Sequence, residues 1–270
     1  MTSSLIVTVA PNGAYKQPAQ HAALPITADT LAATAKACLD AGAAMLHMHV
    51  RHPDGRHLLD AHAYQEATAA VRRAVGQELV VQITTEAAQV YQPPVQMAVV
   101  RAARPEAVSV GLRELLQPGV SQQDLQDFFQ WLVANEVMTQ VILYDTADVA
   151  HWQRLRASGV IPDAKWFVLF VLGRYAAGQT SSPTDLLAFL AADDGAHPWA
   201  MCAFGPQENA CAIAAAALGG HVRVGFENNL YLKDGSVAAD NAALVRQVAQ
   251  GAQALGQRLA TAAEVRARFR

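Results

Sequence analysis

Two short runs of the chain carry residue types that together make a metal site. They are HMHVR, residues 47–51, and RVGFEN, residues 223–228. Side chains on a strand alternate between its faces, so His47 and His49 lie on the same face, and Glu227 belongs to the polar face of the second run. Two imidazoles and one carboxylate are the ligand set of a catalytic zinc site with an open position. We therefore predict that His47, His49 and Glu227 bind zinc, although manganese, iron or cobalt also suits this set.

Two arginines lie close to these residues in the sequence, and their positive charges are candidates to bind an anionic substrate. Arg51 shares the face of the histidines and would add a cation at the mouth, where it is a candidate to bind the substrate. Arg223 shares the face of Glu227 and lies deeper, and a buried guanidinium needs a partner. It either forms a structural ion pair or clamps a carboxylate or oxyanion. We favour the clamp, because the adjacent metal site also suits anions. The chain has nine histidines, so the alternative is that His47 and His49 are ordinary core or surface residues.

The general base is harder to identify from the sequence. Asn228 follows Glu227, but an amide cannot take up a proton at neutral pH. Glu86, just past a predicted strand, is the nearest carboxylate candidate, and a solvated loop acid is the alternative interpretation. Thr84 and Ser109 are candidates to donate hydrogen bonds to a substrate, or they are strand hydroxyls that are satisfied locally.

Composition limits the class of protein. The chain has 270 residues, of which 52% are hydrophobic and 16% charged, and its net charge is −3. This predicts a large buried core and no nucleic-acid-binding surface. The three cysteines have no Cys-x-x-Cys spacing, which favours a reducing compartment. The sequence has no run of eighteen apolar residues, so no membrane span is predicted. Residues Met1 to Ser4 lack the basic start of a secretory signal, and we therefore expect a cytoplasmic protein.

Strand-like runs alternate with helical stretches along the whole chain. The predicted strands are Leu5 to Pro11, Ala44 to Arg51, Leu79 to Thr85, Ala107 to Leu112, Thr139 to Asp145, Lys165 to Leu172, Trp199 to Phe204 and His221 to Phe226. Helices are predicted between them and after the last strand, ending in a tail helix that reaches Arg270 and begins with a capping box of Thr261 and Glu264. Eight strand–helix units favour a parallel (β/α)8 barrel forming one domain over residues 1–270.

An open doubly wound sheet is the alternative fold. It would require a glycine-rich dinucleotide turn after the first strand, and Pro11-Asn12-Gly13-Ala14 does not match G-x-G-x-x-G. In a barrel, the active site lies at the C-terminal ends of the strands. The candidate metal ligands, Thr84 and Glu86 all fall on or just past such ends, so the barrel and the metal site support each other.

Several motifs resemble those of the β-keto acid cleavage enzymes. They are TVAPNGA (Thr8 to Ala14), LPIT (Leu24 to Thr27), HMHVR with the DGRH that follows, FVLGRYAAGQ (Phe170 to Gln179) and HVRVGFENN (His221 to Asn229). The resemblance covers nearly the whole chain and implies a zinc-dependent (β/α)8 barrel. It also implies that a β-keto acid and acetyl-CoA react to give acetoacetate and a new acyl-CoA. A homo-oligomer, in this family often a tetramer, is implied as well.

The resemblance assigns roles to individual residues. It implies that His47, His49 and Glu227 hold zinc, that Arg223 is the active-site arginine, and that Thr84 is the hydroxyl residue, often a serine, that contacts the substrate.

Two positions depart from the family pattern. Asn228 stands where the pattern has an aspartate that takes part in proton removal. The stretch Asn12-Gly13-Ala14-Tyr15 stands where some members have an acid that pairs with an amino group of the substrate, so a cationic β-keto acid is less expected. Asn12 remains a candidate substrate contact.

Two other classes of function remain open on the sequence. A barrel metallohydrolase would need a proton acceptor beside the metal-bound water and typically more ligands than this chain offers. A metal-binding inactive relative would keep the fold and lack the base, as Asn228 allows. Dependence on acetyl-CoA separates the acyltransferase from both.

Overall fold

Eight parallel strands pair in a closed ring in the computed structural model, which describes residues 4–269. In chain order they are β1 (Val7–Val9), β2 (Met45–Met48), β5 (Val80–Thr84), β6 (Ala107–Gly111), β7 (Met138–Leu143), β8 (Phe167–Leu172), β9 (Trp199–Ala203) and β10 (His221–Val224). β3 (Val50–Arg51) and β4 (His57–Leu58) form a separate antiparallel ribbon. The ring closes where β1 pairs with both β2 and β10. The predicted (β/α)8 barrel is confirmed.

Ten α-helices lie among residues 4–269, and apart from the last they follow the barrel strands around the ring. They are α1 (Ala28–Asp40), α2 (Ala61–Val75), α3 (Pro93–Ala103), α4 (Leu112–Leu115), α5 (Gln122–Ala134), α6 (Thr146–Ala157), α7 (Leu186–Ala192), α8 (Glu208–Ala217), α9 (Asn241–Ala254) and α10 (Ala262–Phe269). Many begin at the caps that the sequence offers. Thr27, Ser121 and Asp145 each accept a hydrogen bond from a backbone N–H three residues on, which satisfies a donor that the helix leaves free. The predicted capping box of Thr261 and Glu264 is present as well.

Most predicted strands are longer than the strands of the structure by one or more residues, and two differences beside the site matter most. The second strand was predicted to run to Arg51, but β2 ends at Met48. The chain leaves the barrel there because residues 50–51 pair with His57–Leu58 in the ribbon, whose turn contains Gly55 at φ +83°. Four-residue α4 was not predicted, since it continues directly from β6 with no turn residue between. The predicted end of the tail helix at Arg270 lies outside the described residues.

The core has two layers that are separated by the barrel wall. Outward-facing strand residues such as Val222 and Val224 pack beneath the helices, while inward-facing residues such as Leu169 and Cys202 fill the barrel interior. α10 covers the N-terminal end of the barrel, where the centre of the Phe269 phenyl ring lies 4.6 Å from that of Phe167. The opposite end, at the strand C-termini, is therefore the end that is left for a site.

Among residues 4–269, no helix is both long and apolar enough to cross a bilayer.

Candidate metal centre and active site

His47, His49 and Glu227 converge at the C-terminal mouth of the barrel. One ligand atom from each lies within 4.8 Å of the others. The two Nε2 atoms are 3.2 Å apart, and Glu227 Oε2 lies 3.3 Å from each of them. His47 comes from β2, His49 from the residue just past it, and Glu227 from the turn after β10. β1 separates β2 from β10 in the ring, so the three side chains reach one point across a single strand.

Polar neighbours fix the orientation of both histidines. His47 Nδ1 lies 2.8 Å from Gln82 Oε1 on the adjacent strand β5, an acceptor that places the ring proton on Nδ1 and leaves the Nε2 lone pair free. His49 is held through its backbone, because its N–H donates to Asn12 Oδ1 and its carbonyl accepts from Asn12 Nδ2 at 2.9 Å. The loop after β1 therefore fixes the point at which the chain leaves β2.

Glu227 is positioned by the first loop as well as by its own turn. Its N–H donates to the carbonyl of Ala10, and its carbonyl accepts from Lys16 Nζ at 2.8 Å. Gly13, at φ +64°, leaves the space that the side chain of Glu227 occupies. Arg223, on β10, donates from Nη2 to Glu227 Oε1 at 2.9 Å. Oε2 is thereby left for the histidines.

The protonation states suit a cation. Burial lowers the pKa of His49 to about 3, so the imidazole is neutral at pH 7. Burial alone would raise the pKa of Glu227, but the positive charge of Arg223 and the neighbouring histidines outweigh it and hold the pKa well below its usual range. Neutral imidazole and ionised carboxylate are the forms that bind a metal.

The donor set fits a divalent metal. Glu227 Oε2 is buried and has no hydrogen-bond donor in the described part of the chain, and two imidazole nitrogens face it and each other across 3.3 Å or less. Three acceptor atoms directed at one point in a buried site need a cation between them. His2Glu is also the ligand set expected for zinc with an open position.

A cavity opens directly onto this cluster. It extends across the barrel mouth from His47 and Glu227 to the ends of β6, β7 and β8. Its lining is His47, Thr84, Glu86, Gly111, Glu114, Ile142, Tyr144, Val171, Arg174, Phe204, Arg223 and Glu227. A second, outer cavity shares Glu86, Arg174, Phe204 and Glu227 with it, and is otherwise lined by residues of the first loop and by Gln179. The two form one path from solvent to the cluster.

Glu86 lies between the cluster and the outer cavity. Its Oε2 is 3.8 Å from His49 Nε2, and its Oε1 is 3.5 Å from Arg174 Nη2. Burial, together with the charges of Glu227 and Glu114, raises the pKa of Glu86 to about 8. The interpretation as a solvated loop acid does not agree with these contacts. The ionised form of Glu86, which predominates above about pH 8, can accept a proton at the point where a ligand of the cluster would react.

The structure gives Arg51 a different place from the one predicted. Its guanidinium is buried and donates to the carbonyls of Gly13, Lys16 and Gly55, and it lines neither cavity. The alternation of side chains failed here because the strand ends at Met48. Arg51 braces the first loop against the ribbon, so its predicted contact with substrate is wrong.

The other predicted residues divide into those at the cavity and those behind it. Thr84 lines the inner cavity, and its hydroxyl accepts from the N–H of Glu86. Asn12 lines the outer cavity while holding His49. Ser109 is fully buried and its hydroxyl has no partner among residues 4–269, and both polar side-chain atoms of Asn228 are likewise buried and unpaired within that range. Ser109 and Asn228 line neither cavity, so their predicted contacts stay predictions.

Four residues at the site were not among the predicted set. Arg174, in the loop after β8, lies with its guanidinium carbon 4.7 Å from the ring centre of Tyr15 and 5.3 Å from that of Phe204. Glu114 follows β6, and Gln82 supports His47. Glu208, at the start of α8, is fully buried and accepts from the N–H of Gly225 and from Asn229 Nδ2, so it holds both sides of the turn that carries Glu227. Gln82 had a sequence signal, since it shares a strand face with Thr84.

Comparison with known proteins agrees with the motifs. A family model described as beta-keto acid cleavage enzyme matches residues 4–270. The 3-keto-5-aminohexanoate cleavage enzyme of Fusobacterium nucleatum is 27% identical over 271 residues, which cover 98% of this chain and 97% of that one. The 3-oxoadipate:acetyl-CoA acetyltransferase of Cupriavidus necator is 26% identical over 99% of this chain and 95% of its own length. The resemblance seen in the motifs is confirmed.

Solved structures agree with the fold. A binary complex of ObcA with oxaloacetate superposes with a TM-score of 0.69 at 18% identity, covering 91% of this chain and 67% of that one. A type I 3-dehydroquinate dehydratase from Clostridium difficile gives a TM-score of 0.61 at 9% identity, over 94% of this chain and 93% of that one. At such identities the likeness concerns the barrel alone.

Proposed function

The chain belongs to the β-keto acid cleavage enzyme family, and we propose that it is a zinc-dependent acyltransferase that uses acetyl-CoA as cosubstrate. The reaction converts a β-keto acid and acetyl-CoA into acetoacetate and a new acyl-CoA. Relatives named for acetyl-CoA transfer reactions, in Cupriavidus necator and Paraburkholderia graminis, support the cosubstrate.

One observation carries the proposal. Two imidazole nitrogens and a carboxylate oxygen converge within 4.8 Å at the floor of a cavity that also presents Arg223 and Glu86. A metal ligand set, an arginine and a free carboxylate in one enclosed space are the groups needed to bind a β-keto carboxylate and move its C2 proton. His47, His49 and Glu227 would hold the metal. When bound there, the ion acts as a Lewis acid that polarises the keto group and stabilises negative charge at its oxygen.

Arg223 binds and orients the anionic end of the substrate. It is 3% exposed, and its Nε and Nη1 have no partner in the described part of the chain, while Nη2 is held by Glu227 and Cys202. A buried guanidinium with unused donors beside a cavity favours a carboxylate ligand. The pair with Glu227 supports the clamp interpretation, since the ion pair uses only one side of the guanidinium.

Glu86 is the proposed base. It takes the C2 proton of the β-keto acid, and C2 then forms a bond to the carbonyl carbon of the acetyl thioester while CoA leaves as thiolate. The thiolate attacks the original keto carbon, and the bond between C2 and that carbon breaks. The proton on Glu86 returns to C2, which gives acetoacetate and the new acyl-CoA with no net change in protons or electrons.

The outer cavity is the proposed entry for the thioester. It is open to solvent, it leads to Glu86 and Glu227, and it carries Lys16 and Arg174. Both cations suit the phosphate-bearing cosubstrate. Lys16 already donates to the carbonyl of Glu227, so a phosphate bound at Lys16 would alter the contacts of a metal ligand.

Glu86 also bears on the two alternative functions. An inactive relative was considered because Asn228 cannot act as a base, and a carboxylate 3.8 Å from His49 supplies one. A hydrolase would use the same carboxylate on water, so only the cosubstrate distinguishes the two activities. We further propose, from the family resemblance, one domain over residues 1–270, a homo-oligomer, in this family often a tetramer, and a cytoplasmic location.

The proposal is tested by measuring metal content and reaction together. Purified protein is analysed for bound divalent metals by mass spectrometry and then incubated with a series of β-keto acids, with and without acetyl-CoA. The proposal predicts close to one zinc per chain and acetoacetate only with acetyl-CoA. The matched variant His47→Ala should lose both metal and turnover. Metal-free protein with full activity, or product formed equally well without the thioester, would contradict it.

A further inference from the structure

The antiparallel ribbon after β2 returns the chain to the metal cluster. Its two strands pair so that His57 lies opposite Arg51. His57 is the last residue of the DGRH motif, and the proposed reaction gives it no role. The centre of its ring lies 5.6 Å from that of the His49 ring, and the two rings are tilted by 58°. A third buried imidazole therefore lies beside a metal ligand without belonging to the three ligand atoms that converge.

One nitrogen of His57 fixes the backbone of Glu86. Nε2 of His57 lies 2.7 Å from the carbonyl oxygen of Glu86. A carbonyl oxygen only accepts hydrogen bonds, so Nε2 is the nitrogen that carries the ring proton. The N–H of Glu86 donates to Thr84 Oγ1 at 3.0 Å. The backbone from which the carboxylate projects is therefore held on both sides.

The other nitrogen of His57 needs a hydrogen-bond donor. In a neutral imidazole one nitrogen donates and the other accepts, so Nδ1 of His57 has a free lone pair. This atom is buried and has no partner among residues 4–269. A buried acceptor that is left unpaired costs free energy, because it has lost the hydrogen bond that water would make with it.

His49 has the complementary need. Its Nε2 faces the other two ligand atoms, so a bound metal requires this nitrogen to be free of its proton, which then lies on Nδ1. Metal-binding histidines almost always donate this second N–H to an acceptor. His47 follows the rule through Gln82. Nδ1 of His49 is buried and has no such acceptor in the described part of the chain.

The two unpaired nitrogens match each other. One is a donor and the other an acceptor, and they belong to neighbouring buried rings. They make no direct hydrogen bond, and a buried water commonly joins two polar groups of this kind. Arg51 does not compete for the acceptor, since its guanidinium donates to three backbone carbonyls. The ring of Tyr91 packs edge-on against His57, with centres 5.8 Å apart, and helps to hold the imidazole in place.

We propose that His57 is a positioning residue that couples the base to a metal ligand. Its Nε2–H holds the carbonyl of Glu86, and its Nδ1 accepts, through one buried water, the hydrogen bond that His49 Nδ1–H offers. The inference rests on the proposed function for the roles of the metal and of Glu86. The exit of the chain from the barrel after His49 then serves the site, because the ribbon brings His57 back to it.

The ring protons of the wild-type protein test the proposal directly. The histidine ring nitrogens are labelled with ¹⁵N, and long-range proton–nitrogen NMR on the zinc-loaded protein at pH 8 locates each proton. We expect His57 to be protonated at Nε2 alone and His49 at Nδ1 alone. The spectrum of His57→Gln assigns the signals of His57. A proton on Nδ1 of His57 would overturn the proposal, whether or not any variant folds.

Two substitutions at position 57 separate the two hydrogen bonds. Glutamine reaches as far as Nε2 and keeps an N–H for Glu86, but it loses the acceptor on the side of His49. Asparagine keeps an oxygen near the position of Nδ1 but is too short to reach Glu86. Zinc affinity, measured by competition with a chelating dye, should fall about 10- to 100-fold in His57→Gln and less in His57→Asn. With saturating zinc, kcat should fall about 10- to 100-fold in His57→Asn and less in His57→Gln.

The matched controls are His62→Gln and His62→Asn, on α2, where the histidine side chain is 77% exposed. Both should keep the zinc affinity and kcat of the wild type. A ring that only packs the ribbon would give the two His57 variants the same order in both measurements. That result, or wild-type values in both variants, would overturn the proposal.

The readouts also keep this inference apart from the proposed reaction. A wild-type protein that forms no acetoacetate would contradict the acyltransferase, while the ring protons and the zinc affinities would still decide the role of His57. Acetoacetate formation with His57 protonated at Nδ1 would support the acyltransferase and overturn the inference.

Discussion

A β-carbon on Gly13 would lie 2.7 Å from Cγ of Glu227, so the loop after β1 packs against the Glu227 side chain with no room for a larger residue at position 13. The rest of the loop makes the same connection, because Lys16 donates to the carbonyl of Glu227 and Asn12 holds His49. The first loop therefore shapes the metal centre although it supplies none of its ligands.

Gly13→Ala should weaken metal binding by about 10- to 100-fold, as expected when the support of a ligand is lost. The side chain would push Glu227 away from the histidines, and φ +64° adds about 1–2 kcal/mol of backbone strain. Zinc affinity is measured by competition with a chelating dye. Gly76→Ala is the matched control, because Gly76 also has positive φ, +57°, and, its chain neighbours aside, no atom of residues 4–269 lies within 4 Å of its added β-carbon. Equal zinc affinity in both variants would contradict the packing argument.

Arg223 and Arg51 are predicted to respond differently to the same change. Arg223→Lys removes the bidentate fork at the cavity, and we expect a loss of about 100-fold or more in kcat/KM with a near-normal melting temperature. Arg51→Lys removes donors to three backbone carbonyls, and we expect a loss of about 1–3 kcal/mol in the free energy of unfolding with kcat/KM retained. Thermal melts and steady-state kinetics on both variants decide the matter. If Arg51→Lys is inactive and Arg223→Lys keeps its kcat/KM, the assignment of Arg223 to the substrate and Arg51 to the fold is wrong.

Glu86→Gln should lower turnover by about 10²–10⁴-fold, the usual contribution of a general base. The amide keeps the size of the side chain but cannot take the C2 proton, and zinc content should stay at the wild-type level because the three ligands are untouched. Asn228→Asp is the matched comparison, and it should cost less. An unchanged rate in Glu86→Gln would make a water held by Arg223 the leading base.

Glu208 should make the fold less stable as pH rises. Burial raises its pKa from the ordinary value of about 4.5 to about 8, so between these pH values the folded protein binds the proton more strongly than the unfolded chain. The stabilisation is complete below about pH 4.5 and is lost as pH rises through about 8. Urea unfolding at pH 5.5 and 8.5 should show a smaller pH-dependent loss in Glu208→Gln than in the wild type. Identical losses would mean that Glu208 does not titrate in this range.

Alternation along strands predicted the main parts of the site and also its main error. It placed His47, His49 and Glu227 together, because residues at the ends of parallel barrel strands meet at one mouth. The same rule placed Arg51 with them, which is wrong because the chain turns into the ribbon after His49. No local pattern announces that turn, since Val50 and Arg51 are as extended in the ribbon as they would be in β2.

The supporting residues depend on long-range contacts that a single sequence does not contain. Glu208 reaches the turn at Gly225 from another strand–helix unit, and Glu114 lies on a four-residue helix that has no start signal. Glu86 was predicted as a candidate acid, but only the fold shows that it lies beside both His49 and Arg174. Propensity predicts the elements, while the ring closure decides which side chains meet.

The central claim is that acetyl-CoA gives its acetyl group to the carbon skeleton of the β-keto acid. It is tested most directly by NMR with acetyl-CoA that carries ¹³C in both acetyl carbons and an unlabelled β-keto acid. The account predicts acetoacetate labelled at C3 and C4 and an unlabelled new acyl-CoA. Unlabelled acetoacetate, label in the acyl group of the new thioester, or cleavage of the β-keto acid without consumption of acetyl-CoA would contradict it.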